Sequence, residues 1–170
     1  YELYKGWNDF IILQKEKLKA KGIVDEDKKV EDDEKNTSTT NDTITISNRL
    51  QKIKTNVKKI NKKYTPKVYL DFGAGDGYHT RQVMSLYNIE NKYVYVVDKV
   101  EYPSIKNMNV NFIQSTNEDF KLTSLENNSV DLVSVFMVLH HIDEKYHRDV
   151  IQELNRVLKP GGMLILREHN

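Results

Sequence analysis

Apolar positions are sparse in the first third of the chain and dense after Val68. From there, short apolar runs alternate with amphipathic stretches. Residues 68–72 form an apolar run ending in glycines, and residues 93–97 form a β-rich run closed by Asp98. Residues 111–114 read as a weaker strand, 130–136 as a continuous apolar one, and 163–166 as another. Between them, residues 80–87 are helix-like. Residues 146–158 place Val150, Ile151, Leu154, Val157 and Leu158 on one side of a helix, which Lys159-Pro160-Gly161-Gly162 breaks. Continuous rather than alternating apolar strands suit a parallel sheet covered on both faces. Strand–helix repetition at this spacing predicts an α/β fold, with a doubly wound, mostly parallel sheet and helices on both faces. No internal repeat is present.

The first third reads differently. Leu3, Trp7, Phe10, Ile11 and Leu18 recur at helical spacing, with Gly22 as a stop, which predicts an amphipathic helix over 1–24. Such a helix either docks on the domain surface or serves as a lid or partner-binding element. Residues 25–43 contain one large apolar residue, Val30, too little to offset the entropy of ordering, and are expected to be a disordered acidic linker. Ser47 can cap a following helix whose Leu50, Ile53, Val57 and Ile60 form one apolar stripe. The sequence Tyr64-Thr65-Pro66 ends it, because the residue before proline avoids the α region. Residues 44–170 are thus the expected main domain.

The 170-residue length suits one domain with an appendage. The absence of cysteine excludes disulfides, thiolate zinc sites and a cysteine nucleophile, and fits a reducing, cytoplasmic compartment. No stretch reaches the roughly 18 apolar residues of a membrane span. The chain begins at Tyr1 and reads as a segment of a longer parent chain with other domains. The net charge of +1 conceals a balance of −5 over residues 25–34 and of +8 over residues 44–67. The lysines of the second block fit either a solvated helix face or contacts to phosphate or RNA.

The most informative stretch is residues 68–78, VYLDFGAGDGY. A strand runs into Gly73, Gly75 and Gly77, and a helix follows. Glycines there permit unusual dihedrals and let a ligand approach backbone N–H groups at a helix start. A dinucleotide fingerprint counted from Gly73 would need its third glycine at Tyr78, so the GxGxG spacing argues against NAD. A phosphate loop ending in Gly-Lys-Ser/Thr is absent. Asp98 closes the next strand about twenty residues on, where an acid can accept bonds from both hydroxyls of a ribose. Together the glycine turn and Asp98 point to an adenosine-containing ligand.

The stretches DFGAGDG, Asp98, VDLVSVFMVLHHID (130–143) and RVLKPGGMLILRE (156–168), in that order, resemble class I S-adenosylmethionine-dependent methyltransferases, most closely the UbiE-like (methyltransferase type 11) group. The resemblance covers residues 44–170. It implies a Rossmann-like sheet, S-adenosyl-L-methionine as cofactor, and a methyl acceptor that is RNA or a small molecule. It also implies that Gly73, Ala74, Gly75 and Gly77 line the methionine part of the cofactor, with Asp71 orienting the turn and the cofactor's amino group. Asp98 would hold the ribose hydroxyls, Lys99 would flank the adenine, and Thr116 and Asn117 stand where the family's adenine-edge loop often has Asp-Ala. Phe136 and Met137 would border cofactor and acceptor. The family sheet usually has seven strands, the last two an antiparallel hairpin after the fifth. This sequence stops directly after the fifth, so the sheet is expected to lack the usual last two; either the chain is truncated or the final strands come from elsewhere.

Methyl transfer from a sulfonium needs positioning and exclusion of water, and a base only where the acceptor must lose a proton. Base candidates are His140 and His141 after the fourth predicted strand and Glu168 and His169 after the fifth, since ligands of doubly wound sheets sit beyond the carboxyl ends of strands. The alternative is that the paired histidines and Asp143 cap a turn. Tyr78 either covers the methionine part or packs. The spacing offers little support for a metal site. A second function class remains open: a non-catalytic scaffold of the same fold in a larger assembly.

Overall fold

The computed structural model describes residues 44–116 and 119–168, together with the backbone of 11–14 and 21–22. The linker expected at 25–43 lies outside the described residues, as do Asn117 and His169.

The chain enters the main domain through α1 (Asn48–Ile60), whose N-cap Ser47 accepts a hydrogen bond from the Leu50 backbone N–H. Its buried stripe is Leu50, Ile53 and Val57, as the spacing predicts. There follow β3 (Tyr69–Phe72), α2 (Tyr78–Tyr87), β4 (Val94–Asp98), the short α3 (Pro103–Asn107), β5 (Asn111–Gln114), β6 (Val130–Phe136), α4 (Glu144–Val157) and β7 (Leu158–Arg167). β3 pairs in parallel with β4 on one side and with β6 on the other, β4 pairs with β5, and β6 with β7. The chain therefore runs outward from β3 in one direction and resumes on its other side at β6. A crevice opens at such a switch point, beyond the carboxyl ends of the two strands.

Strand side chains alternate between two cores. Leu70, Phe72, Val133, Val135, Leu164 and Leu166 meet Val150, Leu154 and Val157 of α4. Tyr69, Val94, Val96, Leu132, Met163 and Ile165 meet Leu50, Ile53 and Val57 of α1, Val83 and Leu86 of α2, and Ile105 of α3. Both faces are apolar, so the strands read as continuous apolar runs. β7 starts five residues earlier than its apolar run. It includes Pro160 and Gly161 beside a register shift against β6, which accommodates the missing proline N–H.

The five parallel strands β3 to β7 form the expected core. Two further strands, β1 (Ile11–Gln14) and β2 (Lys21–Gly22), join its β7 edge, so the sheet of the described residues runs in the order β2-β1-β7-β6-β3-β4-β5. They correct one expectation, because they lie in the segment 1–24 expected to be a helix. β1 runs antiparallel to β7, with Ile11 opposite Leu166 and Gln14 opposite Met163. The apolar residues at helical spacing overlap the run Ile11-Ile12-Leu13, whose β-branched isoleucines suit a pleated surface. A central apolar strand with an open edge presents a row of unpaired donors and acceptors, and that demand is invisible in local periodicity.

Leu154→Ala removes an anchor of α4 that is almost wholly buried and is expected to cost about 2–5 kcal/mol in urea unfolding. Arg148→Ala, exposed on the same helix, should stay within about 0.5 kcal/mol.

Candidate functional site

The glycine turn joins β3 to α2 at the switch point. Gly73, Gly75 and Gly77 all have positive φ, which glycine adopts without strain. The turn is pinned to the end of β4. Gly73 N and Ala74 N donate to Val97 O at 2.8 and 3.2 Å, and Gly75 N donates to Asp98 Oδ2 at 2.7 Å. The other Asp98 oxygen accepts from Lys99 N at 2.7 Å. Sequence-distant residues expected to share one ligand therefore meet.

The three glycines have different reasons to be there. A Cβ on Gly73 would lie 2.2 Å from the Val138 side chain, and one on Gly77 would lie 2.6 Å from Ile105. Those two serve close packing. At Gly75 nothing lies within 4 Å, so its outer face is open to a ligand.

Asp71 sits beneath the turn, 2 % exposed. Its Oδ1 accepts from Ser134 Oγ and its Oδ2 from Thr80 Oγ1, both at 2.6 Å, and Tyr69 Oη lies 2.6 Å from Ser134 Oγ. The carboxylate thus ties β3 and β6 to the first turn of α2. Each of its oxygens accepts one hydroxyl, and these bonds hold the turn from below. Burial pushes its carboxyl above the ordinary range, against the pull of the Ser134 and Thr80 hydroxyls and of His79.

At the end of β6, Phe136 is buried and Met137 takes a positive φ of 60°, with its N–H donating to Arg167 O at 2.8 Å. Non-glycine residues rarely adopt this region, and such outliers persist where surrounding bonds fix them. The segment that follows is clamped by Glu168: Oε1 accepts from Val138 N and Leu139 N at 2.9 and 2.6 Å, while Oε2 lies 2.7 Å from His140 Nδ1. The His140 and His141 ring centroids are 3.9 Å apart. Asp143 caps α4 by accepting from Lys145 N, so the capping expectation applies to the aspartate, whereas His140 is held by a carboxylate. Sequence reading brought Glu168 into the set but not its clamping role, since β7 and the 138–141 turn become neighbours only through β6–β7 pairing.

Lys99 is exposed, and Thr116 follows a β5 end that is tied to β4 by Ser115 N donating to Asp98 O at 2.9 Å. Thr116 Oγ1 accepts from Asp119 N at 2.9 Å. Lys99 and Thr116 therefore lie at the Asp98 end of the sheet. At the opposite end lies a shallow cleft lined by Ser47, Arg49, Leu50, Ile53, His79, Phe136 and Arg167. The His79 ring packs edge-on against Phe136 at 5.4 Å and against Tyr78 at 5.2 Å. Tyr78 is itself exposed. Burial holds the His79 imidazole below its ordinary value; Asp71 and Asp76 oppose this, and Arg167 and Arg49 reinforce it. No cluster of three or more His, Asp or Glu side chains arranged for a metal occurs among the described residues. No helix among them is long and apolar enough to cross a membrane.

The profile of a family described as "Methyltransferase domain" matches residues 70–166. Curated proteins gave no match. Among solved structures, the PH0226 protein of Pyrococcus horikoshii OT3 is 28% identical, with a TM-score of 0.54 over 69% of this chain and 55% of that one. An S-adenosylmethionine-dependent methyltransferase of Mesorhizobium loti is 16% identical, with a TM-score of 0.51 over 66% of this chain and 51% of that one. Phosphoethanolamine N-methyltransferase 2 of Haemonchus contortus, solved in complex with S-adenosyl-L-methionine, is 22% identical, with a TM-score of 0.51 over 68% of this chain and 27% of that one. The chain thus spans about half the length of the first two, and less of the third.

The buried imidazole generates a pH prediction. The folded state resists protonating His79, whereas the unfolded chain takes up that proton near the ordinary value of 6.5. This contribution is fully present above that value and is lost as pH falls through the lower folded value. Urea unfolding at about pH 7.5 and about pH 5.5 should show wild type losing stability relative to His79→Phe on acidification.

Proposed function

The chain belongs to the methyltransferase-domain family, and we propose that it transfers a methyl group from S-adenosylmethionine to a nucleophilic acceptor, using the crevice at the carboxyl ends of β3, β4, β6 and β7. The observation that carries this reading is the union of Gly75 and Asp98 in a turn whose open face has no packing purpose. A non-catalytic scaffold would not need that face.

The residues present suit the cofactor. Each Asp98 oxygen accepts one N–H and retains a lone pair for the hydroxyls of a ribose. Gly73, Ala74, Gly75 and Gly77 would line the methionine part, Lys99, Thr116 and Asn117 the adenine side, and Phe136 and Met137 the border with the acceptor. The cofactor, when bound, supplies an electrophilic methyl carbon on a positively charged sulfur. Asp71, from below, holds the turn in place through Thr80 and Ser134. Buried Phe136 and Leu139 exclude water from the floor of the crevice, where positioning carries much of the acceleration.

His140 is the proposed base, with Glu168 as its positioning residue. A carboxylate on Nδ1 fixes the ring and favours the tautomer whose Nε2 accepts a proton. Glu168 also fixes the backbone that carries this histidine, so both ends of the unit are set by one side chain. His141 and His169 remain secondary candidates.

Calorimetric titration with S-adenosylhomocysteine tests the cofactor reading; absence of heat and of a thermal shift at about 1 mM ligand would overturn it. Asp98→Asn should weaken binding about tenfold or more, as expected for losing charge-assisted hydrogen bonds. Gly75→Val should abolish it while circular dichroism shows the fold intact. With an acceptor in hand, His140→Gln should lower kcat by about 10²–10⁴ at unchanged S-adenosylhomocysteine affinity, and His141→Gln far less.

A further inference from the structure

We propose that His147 is a positioning residue for His140, the proposed base, and acts through the turn that carries that histidine. This rests on the methyl-transfer reading, which supplies the need for a base.

The turn from Val138 to Ile142 links the end of β6 to α4, and two side chains grip it with complementary chemistry. From the end of β7, Glu168 takes the Val138 and Leu139 N–H groups and His140 Nδ1. From the first turn of α4, half-buried His147 takes the carbonyls: its Nε2–H donates to Leu139 O and to Ile142 O, both at 2.9 Å. Leu139 O is one end of the planar peptide whose other end is the N–H and Cα of His140. A bond to that oxygen therefore orients the plane from which the His140 side chain springs. Buried Leu139 is held at both its N–H and its C=O. His141 N and Ile142 N close the turn on Val138 O and Leu139 O, each at 2.9 Å.

The two imidazoles need opposite tautomers. Carbonyl oxygens only accept, so His147 carries its proton on Nε2. A carboxylate also accepts, so His140 carries its proton on Nδ1 and keeps Nε2 as its acceptor nitrogen. The first tautomer fixes the backbone on which the second is presented to Glu168. Without the His147 grip, the Leu139–His140 peptide is anchored from the β7 side alone, and the ring loses its alignment with Glu168.

The test reads imidazole tautomers by nitrogen-15 NMR at about pH 8, where neutral rings dominate. Wild type should show the His147 proton on Nε2 and the His140 proton mainly on Nδ1. His147→Phe keeps the bulk of the ring and loses the donor. The ratio of Nδ1–H to Nε2–H at His140 should then fall about fivefold, as for the loss of one net hydrogen bond. His147→Gln, whose amide N–H reaches about as far, should keep the wild-type ratio. Val157→Ala, buried at the far end of α4, should lower the unfolding midpoint and leave the ratio unchanged. S-adenosylhomocysteine affinity should be the same in wild type and both His147 variants. A wild-type His147 proton on Nδ1 overturns the inference without any variant. So does an unchanged ratio in His147→Phe, a fall in His147→Gln as large as in His147→Phe, or an equal fall in Val157→Ala. Loss of S-adenosylhomocysteine affinity in His147→Phe overturns it too, since the substitution then disturbs the whole crevice. Wild type that binds no S-adenosylhomocysteine but shows the expected ratios refutes the methyl-transfer reading and leaves the coupling of the two histidines standing.

Discussion

The short bond from the Gly75 N–H to the Asp98 carboxylate is the constraint on which the rest of this site depends. It joins the turn after β3 to the end of β4, beside two further bonds from Gly73 and Ala74 to Val97 O. A turn rich in glycine would otherwise sample many conformations, and its entropy would oppose ligand binding. Pinning it leaves one face of Gly75 open and fixes an acid beside that opening. The same carboxylate thus shapes the turn and offers lone pairs to whatever approaches it.

Beneath that surface the fold supplies rigidity by an unusual route for a parallel sheet. Tyr69, Ser134, Asp71 and Thr80 form a chain of short hydrogen bonds in an otherwise apolar layer. Buried polar networks of this kind cost desolvation and return specificity of geometry when every member is satisfied. Here the network fixes β3, β6 and α2 relative to one another, where the crevice needs them fixed. A second carboxylate, Glu168, plays the corresponding part across β6 and β7. The crevice is therefore framed by Asp71, which holds hydroxyls, by Glu168, which holds backbone, and by Asp98, which holds the Gly75 and Lys99 N–H groups.

Much of this was legible in the residue order. The continuous apolar runs, the positions of α1, α2 and α4, the glycine turn and the acid closing β4 all depend on local chemistry, which periodicity and glycine spacing report directly. The distinct duties of the three glycines were not legible, because Val138 and Ile105 reach them from elsewhere in the chain. The enclosure of Asp71 was not legible for the same reason: its strand position is local, but the hydroxyls that bind it come from β6 and α2.

The sequence alone determined the parallel α/β architecture, the two-sided core and the place of the turn, because each follows from side-chain period and backbone freedom within a few residues. Only the tertiary structure decided that residues 11–14 form a strand, that Glu168 holds His140, and that Arg49 and Arg167 line one cleft. Those outcomes depend on partners brought together by strand pairing rather than by chain order, and the free energy of filling an open strand edge or satisfying a buried donor exists only once the sheet has formed.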